Sequence, residues 1–193
     1  MARPREFDPD AALESATRVF WAKGFENASL DDLCAATGLN RSSIYAAFGA
    51  KRDLYLGALA RYEEGSAARI ASALRGRPIR EAMQAFLDDL IDSIVAGPGR
   101  RGCFIGNCAA EMARLDRGAA ARVRASLGRI ESAFRAGLDE ARARGELADD
   151  ADTAALARFL TAGIQGLRLV GKANPDRGML EDIAAVMLRC LQN

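Results

Sequence analysis

Histidine is absent from all 193 residues. That gap excludes His general bases, His-based nucleophile triads and every metal site that needs an imidazole. The four cysteines, at positions 34, 103, 108 and 190, are too few and too scattered for a disulfide scaffold in a chain of this size. They fit a reducing, cytoplasmic setting. No apolar run approaches the roughly 20 residues of a membrane span, and the polar opening "MARPREFDPD" lacks the apolar core of a signal peptide. A formal net charge of +1 advertises neither a nucleic-acid nor an acidic partner, so any such surface must be local. Strand signals are missing too: no alternating β-branched runs, no hairpin dipeptides between apolar stretches, and no internal repeat. Neither a cofactor nor a metal is expected.

What is present reads as helix almost throughout. "FDPDAALESATRVFWAKGF" offers Asp8 as N-cap and Pro9 at the first helical position, an apolar stripe of Leu13, Ala16, Val19 and Phe20, and Gly24 as a left-handed end. "SLDDLCAATG" is a short helix capped by Ser29. A long helix is expected from about Lys51 to Arg75. The next carries Ile79, Met83, Phe86, Leu87, Leu90, Ile91 and Ile94 at three-and-four spacing. "GPGRRG" (97–102) is the clearest loop. Beyond "CFIGNCAAEMARL" an Arg/Ala-rich helix should span about 119–144, closed by Gly145. Two more follow near 150–172 and 175–192, the last capped by Asn174 and started by Pro175. The expected fold is all-α with about nine helices.

The stretch "GLNRSSIYAAFGAK" (38–51) packs a Gly corner, a polar run and two aromatics together. Read as two short helices joined at "TGLN", residues 30–48 turn Leu30, Leu33, Cys34, Ile44 and Phe48 inward, with Leu39 plugging the corner. Arg41, Ser42, Tyr45 and Ala46 then face outward in two adjacent rows. Such a face is small enough for a major groove and carries donors for phosphates and base edges. It is also what an ordinary corner between packed helices looks like. Residues 1–52 carry seven basic and seven acidic groups, so any attraction to DNA must come from segregated charge, helix N-termini and duplication in a dimer.

"GFENASLDDLCAATGLNRSSIYAAFGAKRDLY" resembles the DNA-binding head of the TetR family of bacterial transcriptional regulators. The matching positions are Gly24-Phe25, Ser29, Gly38, Ile44-Tyr45, Phe48 and Lys51. The resemblance implies a three-helix helix-turn-helix domain over 1–52 and a helical ligand-binding and dimerisation domain over 53–193. It also implies a homodimer on a near-palindromic double-stranded operator, an unknown small-molecule effector and no membrane partner. Carried over by position, Ser29 would bind a phosphate. Arg41, Ser42 and Ser43 would start the recognition helix facing bases and phosphates, and Tyr45 and Lys51 would anchor phosphates. Ala46 departs from the larger residue many members carry and offers only a methyl contact. Arg3 and Arg5 could form a groove-binding arm or a solvated tail.

In the remaining two-thirds, Leu156, Phe159, Leu160, Gly163, Leu167 and Val170 stripe one helix, and Leu180, Ile183, Ala184, Met187, Leu188 and Leu191 the next. Either the stripes pack inside one chain or, as the family resemblance implies, two such pairs form a four-helix dimer interface. "RRGCFIGNCAAEMARL" resembles the Gly-Cys-x-x-x-Asn-x-Ala-x-Glu segment of a subset of TetR-type regulators, some of which sense electrophiles or oxidants through cysteine. Cys103, after two arginines and near a helix start, has features that favour thiolate; Cys103 and Cys108, five apart, do not share a helix face. Both are equally good buried residues. Candidate pocket residues are Phe86, Leu90, Phe104, Asn107, Met112, Phe134 and Arg168, with Lys172 near by. The leading expectation is a dimeric repressor released by a small molecule or by cysteine modification, and not an enzyme. The alternatives are a Cys103-dependent enzyme, which would lack a histidine base, and a helical adaptor without a DNA role.

Overall fold

The computed structural model describes residues 7–191; Arg3 and Arg5 lie outside the described residues. Nine α-helices occur among the described residues: α1 (Pro9–Asn27), α2 (Leu30–Thr37), α3 (Arg41–Phe48), α4 (Lys51–Ala73), α5 (Ile79–Ala96), α6 (Phe104–Glu111), α7 (Arg117–Ala143), α8 (Thr153–Ala173) and α9 (Arg177–Arg189). The described residues contain no strand. The all-α expectation therefore holds. No described helix is long and apolar enough to cross a membrane.

Local chemistry sets the helix ends. The Asp8 carboxylate accepts from the Asp10 amide at 2.9 Å with Pro9 at the first position. Ser29 and Asp32 form a reciprocal capping box at the start of α2. Gly38 takes the left-handed conformation (φ 71°, ψ 9°) that turns α2 toward α3. Asn40 caps α3, its Oδ1 accepting from the Ser43 amide at 2.8 Å. Three expectations need correction. "GPGRRG" is not an open loop, because Pro98–Arg101 closes a turn of 3-10 helix. The cap of α9 is Asp176 rather than Asn174, since its carboxylate accepts from Met179 N at 2.8 Å and the helix starts two residues after Pro175. Helix α7 starts at Arg117, earlier than position 119, because Asp116 caps it.

The first three helices close around Ala16, Phe20, Leu33 and Ile44, all buried, with Leu30, Cys34, Leu39 and Phe48 packed against them. Helix α4 leaves this head and enters the larger bundle. Tyr55, fully buried on α4, joins the two: its ring meets Phe20 and Phe25 of α1 edge-on at 5.1 and 5.2 Å, and Phe104 of α6 at 5.3 Å. Each edge-to-face pair contributes about 1 kcal/mol beyond the area it buries.

Three polar ties surround that aromatic centre. Trp21 Nε1 donates to Gly102 O at 3.1 Å. Arg52 at the start of α4 pairs with Asp116 through both carboxylate oxygens. The Arg52 guanidinium holds the Asp116 carboxyl well below the usual carboxylate range, helped by the Ala119 amide. At the far end of α6, Glu111 accepts from Phe25 N and Glu26 N, each at 2.9 Å. Those amides are free because α1 breaks at Gly24, where φ 79° and ψ 179° interrupt the helical ladder. Gly24 thus interrupts α1 with a positive φ, but not as the left-handed end expected from the sequence: its ψ of 179° is extended, and a few further residues coil on to Asn27.

A Cβ at Gly24 would lie 2.8 and 2.9 Å from the two Glu111 oxygens, whereas Gly38 has open space around it. Gly38→Ala should cost about 1–2 kcal/mol, the conformational term alone. Gly24→Ala adds a displaced carboxylate and should cost about 3 kcal/mol or more. Urea denaturation of both variants checks the order, and equal costs would contradict it.

Candidate nucleic-acid interface and cavity

Helix α3 is eight residues long and held from one side. Ile44 is fully buried and Phe48 half-buried against the head core, so the helix cannot roll. The opposite side shows Arg41, Ser42, Tyr45 and Ala46, all exposed, with Tyr45 at 46 %. Ser43 is half-buried beside Asn40. Lys51, at the start of α4, stands with its ammonium 4.6 Å over the Phe25 ring and donates to Glu26 O at 3.5 Å. Among the described residues no carboxylate pairs with it.

Among the described residues the other cations of the head are occupied. Arg41 donates to Asp31 Oδ1 at 2.8 Å and Lys23 to Asp32 Oδ1 at 2.6 Å. The Lys23 ammonium, with the Ser29 amide and hydroxyl, lowers the Asp32 carboxyl to about 2. Exposed pairs of this kind contribute about 0–1 kcal/mol, so a phosphate can replace the Asp31 partner of Arg41 at small cost. Ser29 differs. Its hydroxyl donates to Asp32 Oδ2 at 2.8 Å and accepts from Asp32 N at 3.1 Å, which commits it within the chain. Sequence reasoning missed the Asp31–Arg41 pair, since nothing in spacing tells which side chains ten residues apart meet. It also missed Asn40 as a cap, although Asn before an apolar-periodic run is a cap signal.

A cavity of about 760 Å³ lies between α1, α4, α5, the 3-10 turn and α8. Of the expected lining residues it holds Phe86, Leu90 and Arg168. Phe104, Met112 and Phe134 do not line it: all three are buried in the core. Phe104 is taken up by Tyr55 and Tyr62, and Phe134 stacks edge-on under Phe86 at 6.3 Å. Asn107 faces a second cleft of about 240 Å³ between α6 and α8, where Lys172 Nζ donates to its Oδ1 at 3.3 Å. Trp21, Arg61, Tyr62, Arg69 and Arg101 line the cavity without having been expected there. Arg61, Gly65, Arg69 and Ser72 follow one another at helical spacing along α4, a signal that could have found that wall.

Both candidate sensor cysteines are buried and unbonded. Burial first, and nearby carboxylates after it, push the Cys108 thiol up, which opposes thiolate formation. Cys103 occupies the cap position of α6; the Tyr62 hydroxyl approaches its Sγ at 4.0 Å. Arg101, expected beside this thiol, lies instead over the Trp21 ring, 4.6 Å from its centroid.

The expected dimer stripes also divide. Leu167, Leu180, Met187 and Leu191 are buried within the chain, and the Met187 thioether fills the gap left by Gly163, so these residues serve the chain's own core. Leu156 and Ile183 are half-buried. The outward apolar residues are Phe159, Leu169 and Val170 of α8 and Val186 of α9.

Comparison with known proteins completes these observations. Residues 12–58 match the family described as "Bacterial regulatory proteins, tetR family", and residues 80–187 match "Tetracyclin repressor-like, C-terminal domain". The uncharacterized HTH-type transcriptional regulator YezE of Bacillus subtilis (strain 168) is 33 % identical over 99 % of this chain and 100 % of its own. The HTH-type transcriptional repressor ComR of Escherichia coli (strain K12) is 30 % identical over 97 % and 90 %. A cysteine mutant of the TetR family transcriptional regulator CifR, solved with a 26-base-pair double-strand operator DNA, superposes with a TM-score of 0.85 at 32 % identity, over 97 % of this chain and 98 % of that one. These relatives are regulators rather than enzymes, and the Cys103 enzyme alternative falls with them. A two-part family match that covers head and bundle, on a fold with an outward-facing third helix, makes the chain a member of the TetR family, a DNA-binding transcriptional regulator.

Proposed function

We propose that this protein is a homodimeric repressor that grips a near-palindromic operator with α3 and is released by a small molecule in the 760 Å³ cavity. Residues 1–52 form the DNA-binding part and 53–193 the ligand-binding and dimerisation part. The observation that carries the reading is the division of α3. Ile44 and Phe48 lock one side while Arg41, Ser42, Tyr45 and Ala46 leave the other side to the groove. Lys51 and Tyr45 anchor the phosphate backbone, Arg41 exchanges Asp31 for a phosphate or base, and Ala46 limits reading at its position to a methyl contact. Ser43 supplies a hydroxyl donor at the helix start, and Ser42 does so where its bond to Asn40 Oδ1, 2.9 Å long, opens. Ser29 contributes only where its capping box with Asp32 opens.

Repression is supported by the relative ComR, a transcriptional repressor, and operator binding by the DNA complex of CifR. The dimer uses Phe159, Leu169, Val170 and Val186, a patch of large apolar side chains left outward on the last two helices. The cavity suits the effector because Trp21 of α1 forms part of its wall, so an occupant touches the head directly. A second route is modification of Cys103, which lines the 240 Å³ cleft beside Arg168 and Lys172, within the Gly-Cys-x-x-x-Asn-x-Ala-x-Glu segment. Cys108 takes no part in it. Loss of operator binding on thiol modification that survives Cys103→Ser would sink this route.

In gel-shift titrations Tyr45→Ala and Lys51→Ala should each weaken operator and non-operator DNA alike, by about tenfold, with the Lys51 change lowering the salt slope by about 1. Unchanged affinity in both would show that the DNA surface lies elsewhere. Phe159→Glu should shift sedimentation from dimer to monomer and lower operator affinity with it. A dimer that persists would place the interface on another face.

A further inference from the structure

The charge on the cavity wall is lopsided. Arg61 and Arg69 from α4, Arg101 from the 3-10 turn and Arg168 from α8 all line it, against one carboxylate, the exposed Asp89. Partners for these cations are weak. Arg61 reaches the exposed Glu14 at 3.4 Å, Arg69 touches Ser66 Oγ at 3.4 Å, and Arg101 rests on the Trp21 ring. Arg168 has neither a hydrogen bond nor an ion pair among the described residues. A cation on a concave wall gains more from an anion than one on an open surface, since the wall excludes competing water.

Two of the arginines converge. Arg69 and Arg168 also line a recess of about 40 Å³ that opens below the cavity beside Tyr62 and Phe86. That is room for one compact polar group and not for a ring. The Tyr62 hydroxyl sits there as a donor. Burial, then the Cys103 thiol, push its pKa up to about 12 although Arg168 and Arg69 pull the other way, so it remains protonated at neutral pH. Above the recess the wall carries Trp21, Phe86 and Leu90 together with Arg61 and Arg101. Two guanidinium groups and a phenol in the recess, set among Ile70, Ile130 and Ile164, with Trp21 and Leu90 in the wall above, are complementary to an amphipathic anion.

We propose that the cavity takes an organic carboxylate, its carboxyl group between Arg69 and Arg168 at the Tyr62 hydroxyl and its aromatic or branched body against Trp21, Phe86 and Leu90. The proposal rests on the reading of this cavity as the effector site and gives that effector a chemical class. Trp21, the only tryptophan in the chain, makes binding visible, because the ligand's body packs against its ring in the cavity wall.

The test is a Trp21 fluorescence titration of the full-length protein with benzoate and phenylacetate, their primary amides, phenyl phosphate and inorganic phosphate. A saturable change with a carboxylate, at least about tenfold tighter than with its amide, is the expected result. Arg168→Gln and Arg69→Gln should abolish that preference while the melting temperature and ligand-free operator affinity stay at wild-type values. Equal binding of acid and amide, no saturation with either acid up to about 10 mM, or a preference that survives both substitutions would overturn the proposal. Tighter binding of phenyl phosphate would overturn the carboxylate assignment in favour of a phosphate ester. Inorganic phosphate binding as tightly as the acids would remove the apolar body. Selective acid binding that leaves operator affinity unchanged would support the site and sink its role as effector site, so the two failures are distinguishable.

Discussion

The head of this protein is joined to its bundle by the continuous helix α4 and braced by the short helix α6, where the Glu111 carboxylate makes the hold specific. It accepts two backbone amides that exist as free donors only because α1 breaks at Gly24. At the other end of α6 the Gly102 carbonyl accepts from Trp21, so α1 is gripped on both sides of the break. Between them Phe104 seats on Tyr55, and the Arg52–Asp116 pair fixes the first turn of α4. At about 1 kcal/mol for each neutral hydrogen bond or edge-to-face ring pair, and more for those to charged groups, these ties total several kcal/mol. Coupling between an effector and an operator needs only about 1–3 kcal/mol. Disturbing a single tie is therefore enough to change how the head is presented.

The arrangement of charge follows the same logic. The head has as many acids as bases, and its acids are not spread evenly over its bases. Asp31 and Asp32 take Arg41 and Lys23, while Lys51 is left to the Phe25 ring and a carbonyl. An exposed ion pair costs little to exchange, so the exposed side of α3 is neutral in the free protein and, in the proposed complex, becomes cationic toward a phosphate. In the bundle the opposite holds: four arginines gather around a cavity with a single acid in its wall.

Much of this was legible in the sequence. Asp8, Pro9, Ser29 and Gly38 each define a helix end through a local mechanism, and they do so in the structure. The inward and outward residues of α3 followed from the helical period alone. What period cannot tell is which buried face meets a void. Phe104, Met112 and Phe134 have the same signature as lining residues, yet the aromatic stack around Tyr55 and the packing under Phe86 consume them. Trp21, Arg61 and Arg101 reach the cavity from three elements far apart in sequence. Of the apolar stripes of α8 and α9, Leu160, Leu167, Leu180, Ala184, Met187 and Leu191 turned out to lie inward for the same reason, while Phe159 and Val170 stayed outward. A core is the first demand on a helix, and the apolar residues left outward, Phe159, Leu169, Val170 and Val186, are those the proposed dimer uses.

The proposed two-fold dimer, with its locked α3 in each copy, has one direct consequence for DNA. Two copies must read half-sites whose centres lie about one helical turn, or a multiple of it, apart. Selection of bound duplexes from the source genome by the full-length protein measures this with no operator sequence assumed. The expected result is an enriched inverted repeat with that spacing, lost when Tyr45 is replaced by Ala. Enrichment of an isolated half-site, or of no sequence at all, would contradict the account.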